Sequence, residues 1–238
     1  MDVTLDSIRD IQIYQSKAGY RFSVDALLLC DFVTLNKVEN IADLGAGSGI
    51  VGILLARKYP SAHIALFEIQ NSLLQLAEKN TVLNHLEGRI KVFNCDLRTL
   101  PGSSLSTANF DLVVSNPPFR RVKSGRINIE EEKAIARHEI KLKIDELIHA
   151  ADALLRTKGR LCVIYHPTRL SELMSTLKKI DIEPKRLRFV HSHMSSDSKM
   201  VLLEAVKGGR TGLKVEKPLY IYKEDGSYTD ELNAIYNS

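Results

Sequence analysis

The chain has 238 residues, 44% hydrophobic and 26% charged, a composition that excludes disordered and fibrous classes and suffices for one large core or two modest ones. No run approaches the roughly 20 apolar residues that span a bilayer. Met1-Asp2-Val3-Thr4-Leu5-Asp6 lacks the basic and apolar regions of a secretory signal, so a cytoplasmic protein is expected.

Three widely spaced cysteines, Cys30, Cys95 and Cys162, offer neither a disulfide framework nor a C-x-x-C metal knuckle and read as reduced core residues. The net charge of +4 is unevenly spread. Residues 1–115 hold 10 Lys/Arg against 12 Asp/Glu, residues 116–217 hold 22 against 13, and residues 218–238 hold 1 against 4. A basic excess confined to the middle favours an acidic macromolecular partner, nucleic acid first, over a merely solvated face.

The first 35 residues read as a strand or turn followed by an apolar helix around Ser23–Leu35, an N-terminal capping segment (1–35) on a single domain (36–238). From Ile41 onward, strand-like and helix-like periods alternate. Strands are expected at Ile41–Leu44, Ile64–Phe67, Ile90–Phe93, Leu112–Ser115 and Leu161–Tyr165. Between and after them come helices at Ile50–Lys58, Ser72–Asn84, Ile144–Leu155 and Arg169–Lys179. The first of these stops where Tyr59 precedes Pro60, which disfavours α conformation. Leu187–Val190 and Met200–Val206 are joined by only His191–Lys199, too short for a parallel crossover of roughly a dozen residues, so the last strand should run antiparallel. The fold class is α/β: one doubly wound, mostly parallel seven-stranded sheet, Rossmann-like, with an antiparallel last strand.

Ile41-Ala42-Asp43-Leu44-Gly45-Ala46-Gly47-Ser48-Gly49-Ile50 is a strand entering a glycine turn and a helix. Gly47, Gly49 and Gly52 satisfy G-x-G-x-x-G, which alone fits a dinucleotide site or a plain tight turn. Asp43, ahead of the glycines, would repel a pyrophosphate yet suits a cationic ligand. Glu68, 25 positions later at the next strand end, can accept both hydroxyls of a ribose. Asn94-Cys95-Asp96 follows the third strand. This set resembles the class I S-adenosylmethionine methyltransferases. The resemblance implies that Asp43 with Gly45, Gly47 and Gly49 holds the methionine part, Glu68 the ribose and Asp96 the adenine amino group.

The strand Phe110–Ser115 delivers Asn116-Pro117-Pro118-Phe119. An amino nitrogen on adenine or a carboxamide is a poor nucleophile because its lone pair is delocalised. Two acceptors aimed at its N–H bonds, the Asn116 side-chain oxygen and the Pro117 carbonyl, would favour a more tetrahedral nitrogen and act mainly on the transition state. Phe119 offers a stacking face for a planar base, and the prolines limit loop freedom. These motifs resemble amino methyltransferases that act on adenine, on guanine in rRNA, or on a release-factor glutamine.

Further motifs are Gln15-x-x-x-Gly19-Tyr20-Arg21-Phe22-Ser23-x-Asp25, the run Arg120-Arg121-Val122-Lys123-Ser124-Gly125-Arg126, Ala136-Arg137-His138-Glu139, and Glu204-Ala205-Val206-Lys207-Gly208-Gly209-Arg210. Together they are similar to the bacterial tRNA(Val) adenine-37 N6-methyltransferase family. That resemblance implies S-adenosylmethionine as cofactor, S-adenosylhomocysteine as product and tRNA as partner. It also implies that the Tyr20–Asp25 segment closes over the cofactor site, with Arg21, Phe22, Asp25 and Asn116 among the cofactor-binding residues. The basic side chains Arg120, Arg121, Lys123, Arg126, Arg137, Lys207 and Arg210 are the candidate RNA contacts. His191 and His193 lack further ligands at zinc spacing, so no metal is assigned. Competing readings are a dinucleotide oxidoreductase, which Asp43 and the Asn-Pro-Pro-Phe loop disfavour, the same fold acting on glutamine or guanine, and an idle RNA-binding module.

Overall fold

The computed structural model describes residues 3–16, 24–107, 110–117 and 142–237. The chain opens on an antiparallel hairpin, β1 (Val3–Ile8) and β2 (Ile11–Ser16), that stands apart from the main sheet. It docks on helix α3 (Asn71–Leu83) through two asparagines. The Asn80 side chain accepts the Tyr14 N–H at 2.7 Å and donates to the Tyr14 carbonyl at 3.0 Å. Asn84, just past the helix, does the same for Gln12 at 3.2 and 2.7 Å. Four helical residues rise about 6 Å and two strand residues about 6.8 Å, so side chains at i and i+4 can stand in for a neighbouring strand. At the hairpin turn the Arg9 guanidinium donates to the carbonyls of Ile235 and Tyr236, in the last turn of helix α6 (Asp230–Asn237), where a cation is favoured.

The main sheet contains β3 (Asn40–Leu44), β4 (His63–Glu68), β5 (Ile90–Asn94), β6 (Phe110–Ser115), β7 (Leu155–Tyr165), β8 (Ile182–His191) and β9 (Ser198–Lys207), arranged β8-β9-β7-β6-β3-β4-β5. Five of them run parallel from β7 to β5, and β9 lies antiparallel between β7 and β8. The antiparallel expectation for Met200–Val206 therefore holds. The strand count needs correction: β10 (Lys214–Val215) and β11 (Leu219–Tyr220) each pair parallel with β8, making nine strands rather than seven. Two-residue strands carry no readable period, and Pro218 separates these two.

Alternation along the strands sorts side chains to two faces. Ile41, Ile64, Leu66, Leu112, Val114, Cys162 and Leu202 meet α1 (Val24–Phe32) and α2 (Ile50–Lys58) on one side. Ala42, Leu44, Phe67, Val113, Leu161, Val163 and Leu203 meet α4 (Ile144–Leu154) and α5 (Leu170–Lys179) on the other. Each fully buried Leu, Ile or Val contributes about 1.5–3 kcal/mol. A Cβ on Gly52 would lie 2.3 Å from the Leu66 side chain, so this third glycine serves close packing of α2 on β4. Within the first face, the buried Glu204 pairs with Arg160 and, at 3.0 Å, with Arg186, whose guanidinium lies 4.0 Å over the Phe32 ring. Losing either arginine leaves Glu204 the other, and only the loss of both would strand its buried charge, at a cost of about 3–5 kcal/mol. Among the described residues no helix is long and apolar enough to cross a membrane.

Candidate active site

The chain moves outward from β3 through β4 to β5, then returns to place β6 on the other side of β3. Ligands of open α/β sheets bind at such a switch point, beyond the carboxyl ends of the strands. Asp43, Glu68, Asp96 and Asn116 all stand at or just past those ends.

The glycine turn is clamped at nearly every peptide. Gly45 and Ala46 donate to the Phe67 carbonyl at 2.9 and 3.0 Å, and Gly49 donates to Ala46 at 2.9 Å. Asn80 donates its remaining N–H to the Ser48 carbonyl at 2.9 Å, so one buried amide holds both the hairpin and the turn. Gly45, Gly47 and Gly49 have φ of 72°, 59° and 85°, the left-handed region that favours glycine. A Cβ on Gly45 or Gly47 would meet nothing within 4 Å, whereas one on Gly49 would press on Leu66 and Ala77. The first two glycines thus face open space, and the third is a packing residue.

Two carboxyl groups lie beneath this turn, Asp43 1% exposed and Glu68 4% exposed. Asp43 accepts the Gly52 N–H at 3.2 Å. Burial, with a smaller contribution from the neighbouring Glu68 carboxylate, pushes the Asp43 carboxyl up to about 7 against the opposing pull of the Gly52 N–H. Glu68 accepts one N–H on each oxygen, from Gly47 and Gln70, both at 2.9 Å. Each oxygen keeps a second lone pair for a hydroxyl donor. Among the described residues neither carboxyl forms an ion pair with Lys or Arg.

Asp96 caps the short turn Leu97–Thr99 by accepting the Arg98 N–H at 3.0 Å, and the Arg98 guanidinium grips the same carboxylate. An adenine amino group at Asp96 would therefore share the carboxylate with Arg98. Next to the turn, Ser115 at the end of β6 is fully buried and donates its hydroxyl to the Leu44 carbonyl at 2.7 Å. That bond ties the strand carrying Asn116 and Pro117, both half-buried, to the strand carrying the glycine turn.

The expected site residues divide into three sets. Asp43, Gly45, Gly47, Glu68, Asp96, Asn116 and Pro117 come together along one sheet edge, and Asp25 sits in the first turn of α1. Lys207 and Arg210 do not join them: β9 runs antiparallel, so its end lies at the opposite edge, beside the start of β8. There the Lys207 ammonium pairs with Asp152 at 2.8 Å, and Arg210 stands exposed. Arg21, Phe22, Phe119, Arg120, Arg121, Lys123, Arg126, Arg137 and His138 lie outside the described residues. Cys30 and Cys162 are buried, with thiols raised by desolvation, while Cys95 is half-buried beside Asp96. Among the described residues no group of three or more His, Cys, Asp or Glu is placed to hold a metal ion.

Residues 23–183 match the family model described as the methyltransferase small domain. The chain belongs to the methyltransferase small domain family. This family member is 27% identical to a tRNA1(Val) (adenine(37)-N6)-methyltransferase from Pedobacter heparinus, over 95% of this chain and 94% of that one. A protein of the same name from a Flavobacteriaceae bacterium is 29% identical over 74% of this chain and 78% of its own length. Among solved structures, a predicted O-methyltransferase from Agrobacterium tumefaciens superposes with a TM-score of 0.71 at 23% identity, covering 90% of this chain and 95% of that one, a likeness of fold.

Three supports of the candidate site escaped sequence reasoning: Ser115, Asn80 and the Arg98 partner of Asp96. A serine ending an apolar strand and an asparagine within an amphipathic helix carry no signal of their partners. Arg98 stands two residues from Asp96, and that spacing was legible.

Proposed function

We propose that this methyltransferase transfers the methyl group of S-adenosylmethionine to the exocyclic N6 of an adenine in RNA, at adenine 37 in the anticodon loop of a tRNA. The observation that carries the reading is the junction of Asn116 with the glycine turn, made by the Ser115 hydroxyl on Leu44. Asn116 would then offer its amide oxygen to the nucleophile beside the turn that would take a cationic donor. The residues fit that donor: two buried carboxyl groups without a cation partner among the described residues, under glycines that open onto free space.

When bound, S-adenosylmethionine supplies an electrophilic methyl on a positively charged sulfur. The Asn116 side-chain oxygen and the Pro117 carbonyl accept the two N6–H bonds and draw the nitrogen lone pair out of the ring. The group would supply both the methyl and a leaving sulfur able to keep the C–S electron pair as a neutral thioether, which balances bond formation at N6. Asn116 and Pro117 stabilise the positive charge that appears on nitrogen, which is where fixed acceptors act most strongly. The proton then passes to water, so no side chain need serve as base. A phenyl ring such as that of Phe119 would offer the extruded base a stacking partner, and extrusion costs least where the base is already unpaired, as in an anticodon loop.

The test is incubation with labelled S-adenosylmethionine and, separately, unmodified tRNA, rRNA and a purified release factor, followed by digestion and mass spectrometry. N6-methyladenosine in the tRNA is expected. Label in N2-methylguanosine or methylglutamine instead would overturn the substrate while leaving the fold and family in place.

A further inference from the structure

Side-chain chemistry is divided along the edge of the sheet that holds the site. The β3-β4-β5 half carries Asp43, Glu68 and Asp96. Beyond Asn116, the β7-β9-β8 half ends in His166, Arg169, Lys199 and His193, with Asp197 as the carboxylate of the β8–β9 hairpin and Glu172 paired to Arg169. The segment that follows holds Asp230 paired to Lys223, Glu231 paired to Arg188, and the exposed Glu224 and Asp225 in a turn.

The same half presents aromatic rings. His193, exposed in the hairpin, stacks on Tyr222 with centroids 5.3 Å apart and planes 28° apart. Tyr222 stacks on Tyr228 at 5.4 Å, and Tyr228 on Tyr236 at 5.5 Å, so His193 ends a four-ring column. Met194, next to it, is 76% exposed. Three spacings of about 4.8 Å separate β8 from β6 sideways, and the pairings Ser115–Val163, Val163–Leu203 and Leu203–Leu187 set His191 four residues beyond the level of Ser115, so the end of β8 lies about 20 Å from the end of β6 that delivers Asn116. A few nucleotides of a single-stranded loop span that distance.

We propose that the hairpin 192–199, with His193 and Met194 as stacking partners and Lys199 as a phosphate contact, is a binding surface for the unpaired nucleotides flanking the target base. The inference rests on the tRNA reading above. Sequence-specific RNA recognition favours splayed loop bases stacked on aromatic side chains, and exposed aromatics beside cations are the surface that meets them. A half lined by carboxylates for a cationic cofactor and a half that offers rings and the Lys199 ammonium to a loop of RNA leave Asn116 at their boundary, where the two substrates must meet.

The experiment compares wild type with the double variant His193→Ala, Lys199→Gln. A control carries Lys178→Gln and Lys179→Gln, exposed at the end of α5, which points toward the opposite edge. Binding of unmodified tRNA is measured by fluorescence anisotropy over a range of salt, and methylation is assayed separately. The hairpin variant should bind tRNA about tenfold more weakly with a salt slope lower by about 0.7–0.9 for the lost phosphate contact, and its affinity for S-adenosylmethionine should be unchanged. The control should match wild type. Unchanged tRNA affinity and KM in the hairpin variant of an enzyme that methylates tRNA overturns the surface alone. Binding of tRNA through this surface without N6 methylation supports the surface and overturns the function. Loss of release-factor methylation in the hairpin variant, with no tRNA bound by wild type, overturns RNA as the occupant.

Discussion

The Ser115 hydroxyl donates to the Leu44 carbonyl at 2.7 Å in a fully buried position, joining the strand before Asn116 to the strand before the glycine turn. Ser115→Ala leaves that carbonyl without its side-chain donor, at a cost of about 1–3 kcal/mol. Denaturant titration should show the loss. Turnover should fall more than cofactor affinity, because Asn116 loses its registration while the clamps on the turn remain. Equal losses in both would make Ser115 a stability residue only.

Asn116→Ala should leave the affinity for S-adenosylmethionine near that of wild type and lower turnover by at least about 100-fold, the size typical of losing one acceptor or donor directed at a transition state. Single-turnover kinetics with saturating cofactor reads this directly. A weakened cofactor site with an unchanged single-turnover rate would remove Asn116 from the chemistry.

Glu68 has two jobs, since it accepts the Gly47 N–H and is the acceptor proposed for the ribose hydroxyls. Glu68→Ala should weaken binding of S-adenosylmethionine and its demethylated product by about 1.5–3 kcal/mol. Calorimetry with methionine alone, which has no ribose, separates the two roles. A pure ribose role leaves methionine binding unchanged, and a role through Gly47 weakens it.

The Asp43 carboxyl, raised to about 7 chiefly by burial, should make binding of S-adenosylmethionine pH-dependent if it faces the cationic donor as proposed. A bound cation favours the ionised form, so affinity should rise with pH and flatten above about 7, approaching tenfold per unit below it. Calorimetry at pH 6.5 in buffers of different ionisation enthalpy should register proton release on binding. For stability the sign is reversed. The folded state holds this proton more tightly than the unfolded chain, so the stability it contributes is complete below the ordinary carboxylate value and is lost as pH rises through about 7. Asp43→Asn should remove both effects, and its stability relative to wild type should increase from pH 5 to pH 8.

Much of this protein was written locally. The helix Ile50–Lys58 follows from its apolar run and from Pro60, and the parallel strands follow from short apolar segments spaced by helices. The glycine turn, the acids around it and Asn116 could be read as one site because each occupies a strand end, and strand ends of a parallel sheet gather at one edge. The hairpin of β8 and β9 followed from connection length alone. These are properties of a few consecutive residues, and periodicity and turn chemistry report them faithfully.

What only the tertiary structure decided are the pairings between distant residues. Asn80 meets Ser48 and Tyr14, Ser115 meets Leu44, and Glu204 meets Arg160 and Arg186, none of which a local pattern encodes. Strand direction separated Lys207 and Arg210 from Asn116, because an antiparallel strand carries its end to the far edge whatever its charge. The short strands β10 and β11 exist because β8 offered an unpaired edge, a condition set by the whole sheet rather than by their two residues each. Sequence determines which groups are available for chemistry, and the long-range hydrogen bonds and strand order determine which of them meet.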